Sequence, residues 1–130
     1  KHSKNVQKIA DNLSKEKVVL FYETDSIEKF KALKNLATNE DFVYLTNSKI
    51  ALIRCYAFRG LNERNYSDIR KVFYNHLNDT SSVTVHLTRS CIVDKISVHQ
   101  FMLDQLHPAS KCKYKLSKRE FDKYYQFKYK

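Results

Sequence analysis

Glycine is nearly absent from this chain: Gly60 is the only glycine in 130 residues, and Pro108 is the only proline. Loops that cradle phosphate need backbone N–H groups that converge on its oxygens, and the Walker A sequence G-x-x-x-x-G-K-[ST] needs two glycines. The sequence contains no such loop and no pair of carboxylates placed for acid–base catalysis. We therefore expect no catalytic residues, no cofactor and no autonomous hydrolysis of ATP.

The length and the apolar content predict a compact body. The chain is 42% hydrophobic, which is enough for one domain with a core of its own. No apolar run approaches the ~18 residues of a membrane span, and no signal peptide opens the chain, so we expect no membrane partner. Cys55, Cys91 and Cys112 form no C-x-x-C pair, which argues against a metal or redox site. Unpaired thiols favour a reducing intracellular compartment, the nucleus or the cytoplasm.

The start of the chain shows the patterns of a helix, a strand and a second helix. Apolar residues recur at helical spacing over residues 4–15. The Val-Val-Leu-Phe-Tyr run inside residues 17–23 is apolar on every side, which is typical of a central parallel strand covered on both faces. Asp25 follows as the predicted N-cap of a helix, whose apolar stripe consists of Ile27, Phe30, Leu33 and Leu36.

Extended and helical patterns alternate along the rest of the chain. Phe42–Leu45 is a predicted strand, and the apolar run at residues 50–58 fits either a strand or a helix. Gly60 is expected to interrupt this run with a turn within residues 59–62. Further patterns predict a helix at 64–77, a strand at 83–87 and short extended segments at 92–98 and 101–106. Because strands and helices alternate, we predict an α/β domain over residues 1–110, with three layers and a mostly parallel sheet between flanking helices.

Three stretches follow one another in a characteristic order: residues 17–24 (KVVLFYET), residues 58–64 (FRGLNER) and residues 83–97, which open with VTVHLTRS. Together they resemble motifs of the second RecA-like lobe of superfamily-two helicases and of the related chromatin-remodelling and viral ATPases. The third stretch resembles a strand and its following loop, and in that family this loop contacts the nucleic-acid backbone, so the resemblance implies a RecA-like fold that binds nucleic acid. The arginine-rich motif that supplies the finger for ATP hydrolysis has no match after His107. The resemblance thus implies one lobe of a larger ATPase or complex.

The formal charge of +10 is concentrated near the C-terminal end. Residues 111–130 hold eight basic and two acidic residues, a net charge of +6. Ser117 and Glu120 have the spacing of a capping box, and aromatic residues follow at helical spacing, so we predict a basic helix within an extension over residues 111–130. Its rings could dock the helix on the domain or stack nucleic-acid bases, and its cations are suited to phosphates.

A second basic group consists of arginines between residues 54 and 89. Ligands of open α/β sheets bind beyond the carboxyl ends of the strands, where we expect Arg59 and the segment Thr88-Arg89-Ser90. A guanidinium can grip phosphate with two hydrogen bonds, and hydroxyl groups can donate to its oxygens. The predicted nucleic-acid-binding residues are Arg59, Arg64, Thr88, Arg89, Ser90, Lys95, Lys111, Lys113, Lys115, Lys118, Arg119 and Lys123.

These patterns predict a nucleic-acid-binding, helicase-like lobe whose partner is DNA or RNA, alone or beside the first lobe of an ATPase. Two alternatives stay open. An aromatic stripe on a capped helix can fill a groove of another protein, which would make the chain a protein–protein assembly module. Helices at 48–58 and 64–77 would instead suit a small winged-helix DNA binder.

Overall fold

The structure, a computed structural model, describes residues 4–16, 19–20, 28–86 and 93–129. Helices account for 59% of it. The elements in chain order are α1 (Lys4–Leu13), β1 (Val19–Leu20), α2 (Glu28–Leu36), α3 (Asn39–Leu45), α4 (Ala51–Glu63), α5 (Ile69–Tyr74), β2 (Ser82–His86), β3 (Val93–Ser97), α6 (Val98–Gln105) and α7 (Lys118–Tyr129).

The sheet is small and mostly antiparallel. Its strands lie in the order β1-β2-β3, and β1 pairs with β2 in parallel over two residues only. β2 and β3 pair antiparallel from Ser82↔Ser97 to His86↔Val93. The predicted three-layer α/β fold with a mostly parallel, RecA-like sheet is therefore wrong. The physical reason is that residues 28–74 form four helices and contribute no strand, so only three short strands are left in the described part of the chain to form a sheet.

Gly60 lies inside α4 and does not interrupt the helix. Its φ is not positive, and the left-handed conformation after the helix belongs to Asn65, whose φ is 54°. A Cβ atom on residue 60 would lie 2.7 Å from Cζ of Phe42, which is closer than carbon atoms approach. The glycine is thus required because α3 and α4 pack closely, and the predicted turn at 59–62 is wrong. Residues 51–58 take the helical alternative of the two that their pattern allowed.

Two short apolar runs predicted as extended are helical. Phe42–Leu45 belongs to α3 and residues 101–105 belong to α6, because each run follows an N-cap. Thr38 Oγ1 accepts a hydrogen bond from Asp41 N at 3.1 Å, and Asp41 Oδ2 accepts one from Thr38 N at 2.8 Å. Ser97 Oγ accepts from Gln100 N at 3.0 Å at the start of α6. The T-x-x-D pattern was a signal that could have revealed α3.

Other local predictions are confirmed. α1 forms where the apolar spacing predicted it, and β2 and β3 match the predicted strands within the described residues. The capping box of α7 is present: Glu120 N donates to Ser117 Oγ at 3.1 Å, and Ser117 N donates to Glu120 Oε1 at 2.9 Å. The helix predicted at 64–77 is reduced to α5 and its flanking turns. Asp25 and most of the strand predicted at 17–23 lie outside the described residues.

One apolar core joins the helices to the sheet. It is centred on α4, nine of whose residues are buried, and it includes Val85 of β2 and Phe101 of α6. Leu116, within the predicted C-terminal extension, is only 1% exposed and belongs to the same core. Its backbone N–H donates to the carbonyl of Leu106 at 2.8 Å. The segment before α7 is thereby attached to the end of α6.

Candidate nucleic-acid interface

Arg59 is enclosed in the core and does not reach the surface. Only 2% of its side chain is exposed, and Nε donates to Glu63 Oε2 at 3.2 Å, one helical turn further along α4. Its guanidinium lies 5.6 Å from the centre of the Phe30 ring. A buried cation needs such a counter-charge because desolvation is costly. Arg59 therefore joins α4 to α2 and offers no group to a ligand in solvent.

Arg64 ends α4 by fastening it to the preceding helices. Nη1 donates to Asn39 Oδ1 at 3.2 Å, and Nη2 donates to the carbonyl of Lys34. The guanidinium lies 4.7 Å from the centre of the Phe42 ring. Burial lowers the pKa of Arg64, and the charge of Asp41 opposes that shift. This arginine is half-buried, and both terminal nitrogens of its guanidinium donate hydrogen bonds within the fold.

Arg54 and Asp79 form an ion pair that is held by two hydrogen bonds. Nε and Nη2 of Arg54 donate to the two carboxylate oxygens at 2.8 and 3.0 Å, and Nη1 donates to the carbonyl of Ser48 at 2.8 Å. Burial alone would raise the pKa of Asp79, but hydrogen bonds and charge from Arg54 hold it below its usual value. His76 Nδ1 lies 3.3 Å from the same carboxylate. The pair fixes the turn that leads into β2.

Arg70, on α5, holds the C-terminal segment in place. Nε donates to the carbonyl of Tyr114 at 3.2 Å, Nη2 donates to the carbonyl of Lys115 at 2.7 Å, and Nη1 donates to Glu120 Oε2 at 3.1 Å. The loop before α7 and the first turn of α7 thus meet on one guanidinium. Asn65 Oδ1 accepts a further hydrogen bond from the backbone N–H of Lys113 at 3.1 Å.

The aromatic side chains of α7 dock this helix on α5 and on the segment that follows α6. The rings of Tyr124 and Phe73 lie nearly perpendicular with 5.4 Å between their centres, and the ring of Phe121 lies 4.7 Å from that of His107. Of the two uses predicted for these rings, the structure therefore shows docking for Phe121 and Tyr124. Tyr125 is 44% exposed and lies 6.1 Å from Phe121, nearly parallel to it.

Six predicted contact residues lie together on the segment before α7 and on α7 itself. We call this set the C-terminal basic surface, and it consists of Lys111, Lys113, Lys115, Lys118, Arg119 and Lys123, all exposed. Lys118 pairs with Asp122 at 3.2 Å, an exposed contact of the kind that contributes little. The other five have no carboxylate partner among the residues that the structure describes. Arg119 and Lys123 lie one turn apart, on the side of α7 away from Phe121.

The remaining predicted residues lie elsewhere. Lys95 is exposed on β3. Thr88, Arg89 and Ser90, the predicted contact loop, lie outside the described residues. Sequence reasoning missed the role of Arg70, because its three partners lie 44 to 50 residues away along the chain and no local pattern relates them.

No protein family, curated protein or solved structure matches this chain. Within the described part of the chain, no helix has the length and apolar character needed to cross a bilayer. The same residues contain no group of three or more His, Cys, Asp or Glu side chains that could hold a metal ion.

Proposed function

We propose that the protein binds nucleic acid through the C-terminal basic surface. The observation that carries this proposal is the contrast in the use of cations: five exposed cations of this surface lack a carboxylate partner among the described residues, while Arg54, Arg59 and Arg70 have one. A dense patch of uncompensated cations attracts a polyanion and gains free energy when counterions leave it. Residues 111–130 also carry most of the net charge.

The way the surface is built supports the proposal. Arg70, Asn65 and buried Leu116 hold the lysine-bearing segment by its backbone and by an apolar anchor. The lysine side chains are therefore presented from an ordered support, and less conformational freedom is lost on binding than from a mobile tail.

The test is a titration of the full chain with fluorescent DNA and RNA at about 50 mM salt and at rising salt. We expect affinity to fall steeply with salt, and the triple variant Lys111→Gln, Lys113→Gln and Lys115→Gln to bind on the order of tenfold more weakly at low salt. The matched control replaces three exposed N-terminal lysines, Lys4, Lys8 and Lys15, by Gln. It removes the same charge and should change affinity less than about twofold. Equal loss in both triple variants would contradict a localised site.

A second candidate is binding through α5 in the manner of a winged helix. Two features favour it: α4 and α5 form a helix pair joined by a short turn, and the antiparallel strands β2 and β3 are the next elements along the chain. Lys71 and Tyr74 are the exposed residues of α5, which has six residues. Replacing Lys71 by Gln should reduce affinity more than replacing Lys115 by Gln if α5 is the contact helix, and the reverse order supports the C-terminal basic surface.

A further inference from the structure

We infer that the C-terminal basic surface contacts the phosphate backbone of a nucleic-acid duplex and does not read its base sequence. This inference rests on the proposed function and specifies the ligand of the same site. It follows from the side chains that the fold leaves available at the surface, and from those that it has already used elsewhere.

Few side chains of this surface can recognise bases by hydrogen bonding. Bidentate contacts to guanine come mainly from arginine, whose fork matches two acceptors, whereas a lysine ammonium acts as a point charge. The cations without a described carboxylate partner are Lys111, Lys113, Lys115, Lys123 and one arginine, Arg119. Arg70 lies beside the same surface, but its guanidinium bonds two carbonyls and Glu120.

Stacking on bases is similarly limited. Proteins that prefer single strands place successive bases on exposed aromatic faces. Here the ring of Tyr124 is packed against both Phe73 and Tyr74, at 5.4 and 5.7 Å. The ring of Phe121 lies between His107 and Tyr125, at 4.7 and 6.1 Å. No continuous row of open aromatic faces remains on residues 118–125, the part of α7 whose side chains the structure describes.

Charge density then decides between the two forms of nucleic acid. A duplex presents one phosphate per ~1.7 Å of its axis, more than a single strand does, and its affinity depends more steeply on salt. A surface that works through point charges gains most from the denser array. We therefore expect a duplex to bind more tightly than either of its strands.

The experiment compares two duplexes of unrelated sequence, each about 20 base pairs, with their separate strands, in DNA and in RNA form. We expect the two sequences to bind within about twofold of each other, and each duplex to bind at least about fivefold more tightly than its strands. The slope of log K against log salt should be about −4 to −5 for the five cations, and should become shallower by about 1 for Lys113→Gln. The DNA and RNA arms show which duplex is preferred.

Two variants separate this inference from the proposed function. Arg119→Lys keeps the charge and removes the fork, and Tyr125→Ala removes the half-exposed ring, so neither should change the ratio of duplex to single-strand affinity. A strong sequence preference that Arg119→Lys abolishes would overturn the inference while leaving the function intact. Tighter binding to single strands that is lost in Tyr125→Ala would do the same. Absence of salt-dependent binding to every nucleic acid would overturn both.

Discussion

Arginines of the helical body and lysines of the C-terminal basic surface carry the same formal charge in different surroundings. Arg54 lies 2.8 Å from Asp79 and Arg59 lies 3.2 Å from Glu63, both largely buried. Lys111 and Lys115 are exposed, and no described carboxylate pairs with them. The difference shows that net charge locates a binding surface only after the cations that the fold itself uses have been set aside. Arg54 and Arg70 make long-range ties, because the fork can bond a carboxylate and a carbonyl together.

The largest expected effect tests whether the body depends on its buried cations. Replacing Arg59 by Met keeps the apolar stem but removes the charge, and we expect it to lower the free energy of unfolding by about 3 kcal/mol. The physical reason is that the Glu63 carboxylate keeps its ion pair with Lys34, at 2.9 Å, but loses the one with Arg59. Urea denaturation measures the change.

The matched control is Lys111→Gln, which removes one exposed charge and should alter the free energy of unfolding by less than about 0.5 kcal/mol. The double variant Arg59→Met and Glu63→Gln should recover part of the loss, because residue 63 then carries no charge that needs the guanidinium of Arg59. A single Arg59→Met variant as stable as Lys111→Gln would remove the distinction between the two regions.

A second test compares two carboxylates of the body. Burial raises the pKa of Asp104 to about 6, although the charge of His107 and a hydrogen bond with Gln100 lower it. The native state then holds this proton more tightly than the unfolded chain does. The contribution of Asp104 to the free energy of unfolding therefore falls as the pH rises from about 4 to about 6. Asp104→Asn should abolish that fall and raise the free energy of unfolding at pH 7 by about 1–2 kcal/mol.

Asp79 is the matched carboxylate, because Arg54 holds its pKa below the usual value. Its contribution is present at neutral pH and is lost as the pH falls through the lowered native pKa. Asp79→Asn should therefore destabilise the protein at pH 7, opposite in sign to Asp104→Asn. Unfolding curves from pH 3 to pH 7 check both. The same sign for the two variants would show that arginine pairing does not distinguish these carboxylates.

A third test addresses the junction between the two regions. Arg70→Lys keeps the charge but cannot bond Tyr114, Lys115 and Glu120 at once, so we expect a loss of about 1 kcal/mol in the free energy of unfolding. If the proposed function holds, affinity for a duplex should fall about two- to threefold without a change in net charge, because the lysine-bearing segment is less ordered. Faster hydrogen exchange of α7 amides would accompany the loss.

The smallest expected effect on stability belongs to the C-terminal basic surface. The Lys111→Gln, Lys113→Gln and Lys115→Gln triple variant should unfold within about 1 kcal/mol of the unaltered chain, because exposed lysines without a carboxylate partner contribute little to folding. A rise in thermal stability would also fit, since like charges repel one another in the folded state. Marked unfolding of this variant would show that the lysines are structural after all.

Local signals predicted much of the secondary structure. The apolar spacing of α1 and the Ser117–Glu120 capping box of α7 each depend on residues within one or two helical turns, and the structure contains both. The short runs at 42–45 and 101–106 were assigned wrongly because four to six apolar residues suit a buried strand and a buried helix equally. The candidate contact residues at 111–123 lie together because they are near one another along the chain, and their role in binding stays a prediction.

The positions of the charges and the helical or alternating periodicity of each segment can be read from the amino-acid sequence, since composition and spacing are local properties of the chain. Tertiary packing alone settles how the charge is used. Arg54 meets Asp79 from 25 residues away, and Arg70 meets Glu120 from 50 residues away. It also decided that Gly60 serves the contact with Phe42 rather than a turn. These outcomes depend on which helices pack together, and that choice is made by the whole core, whose members no single segment specifies.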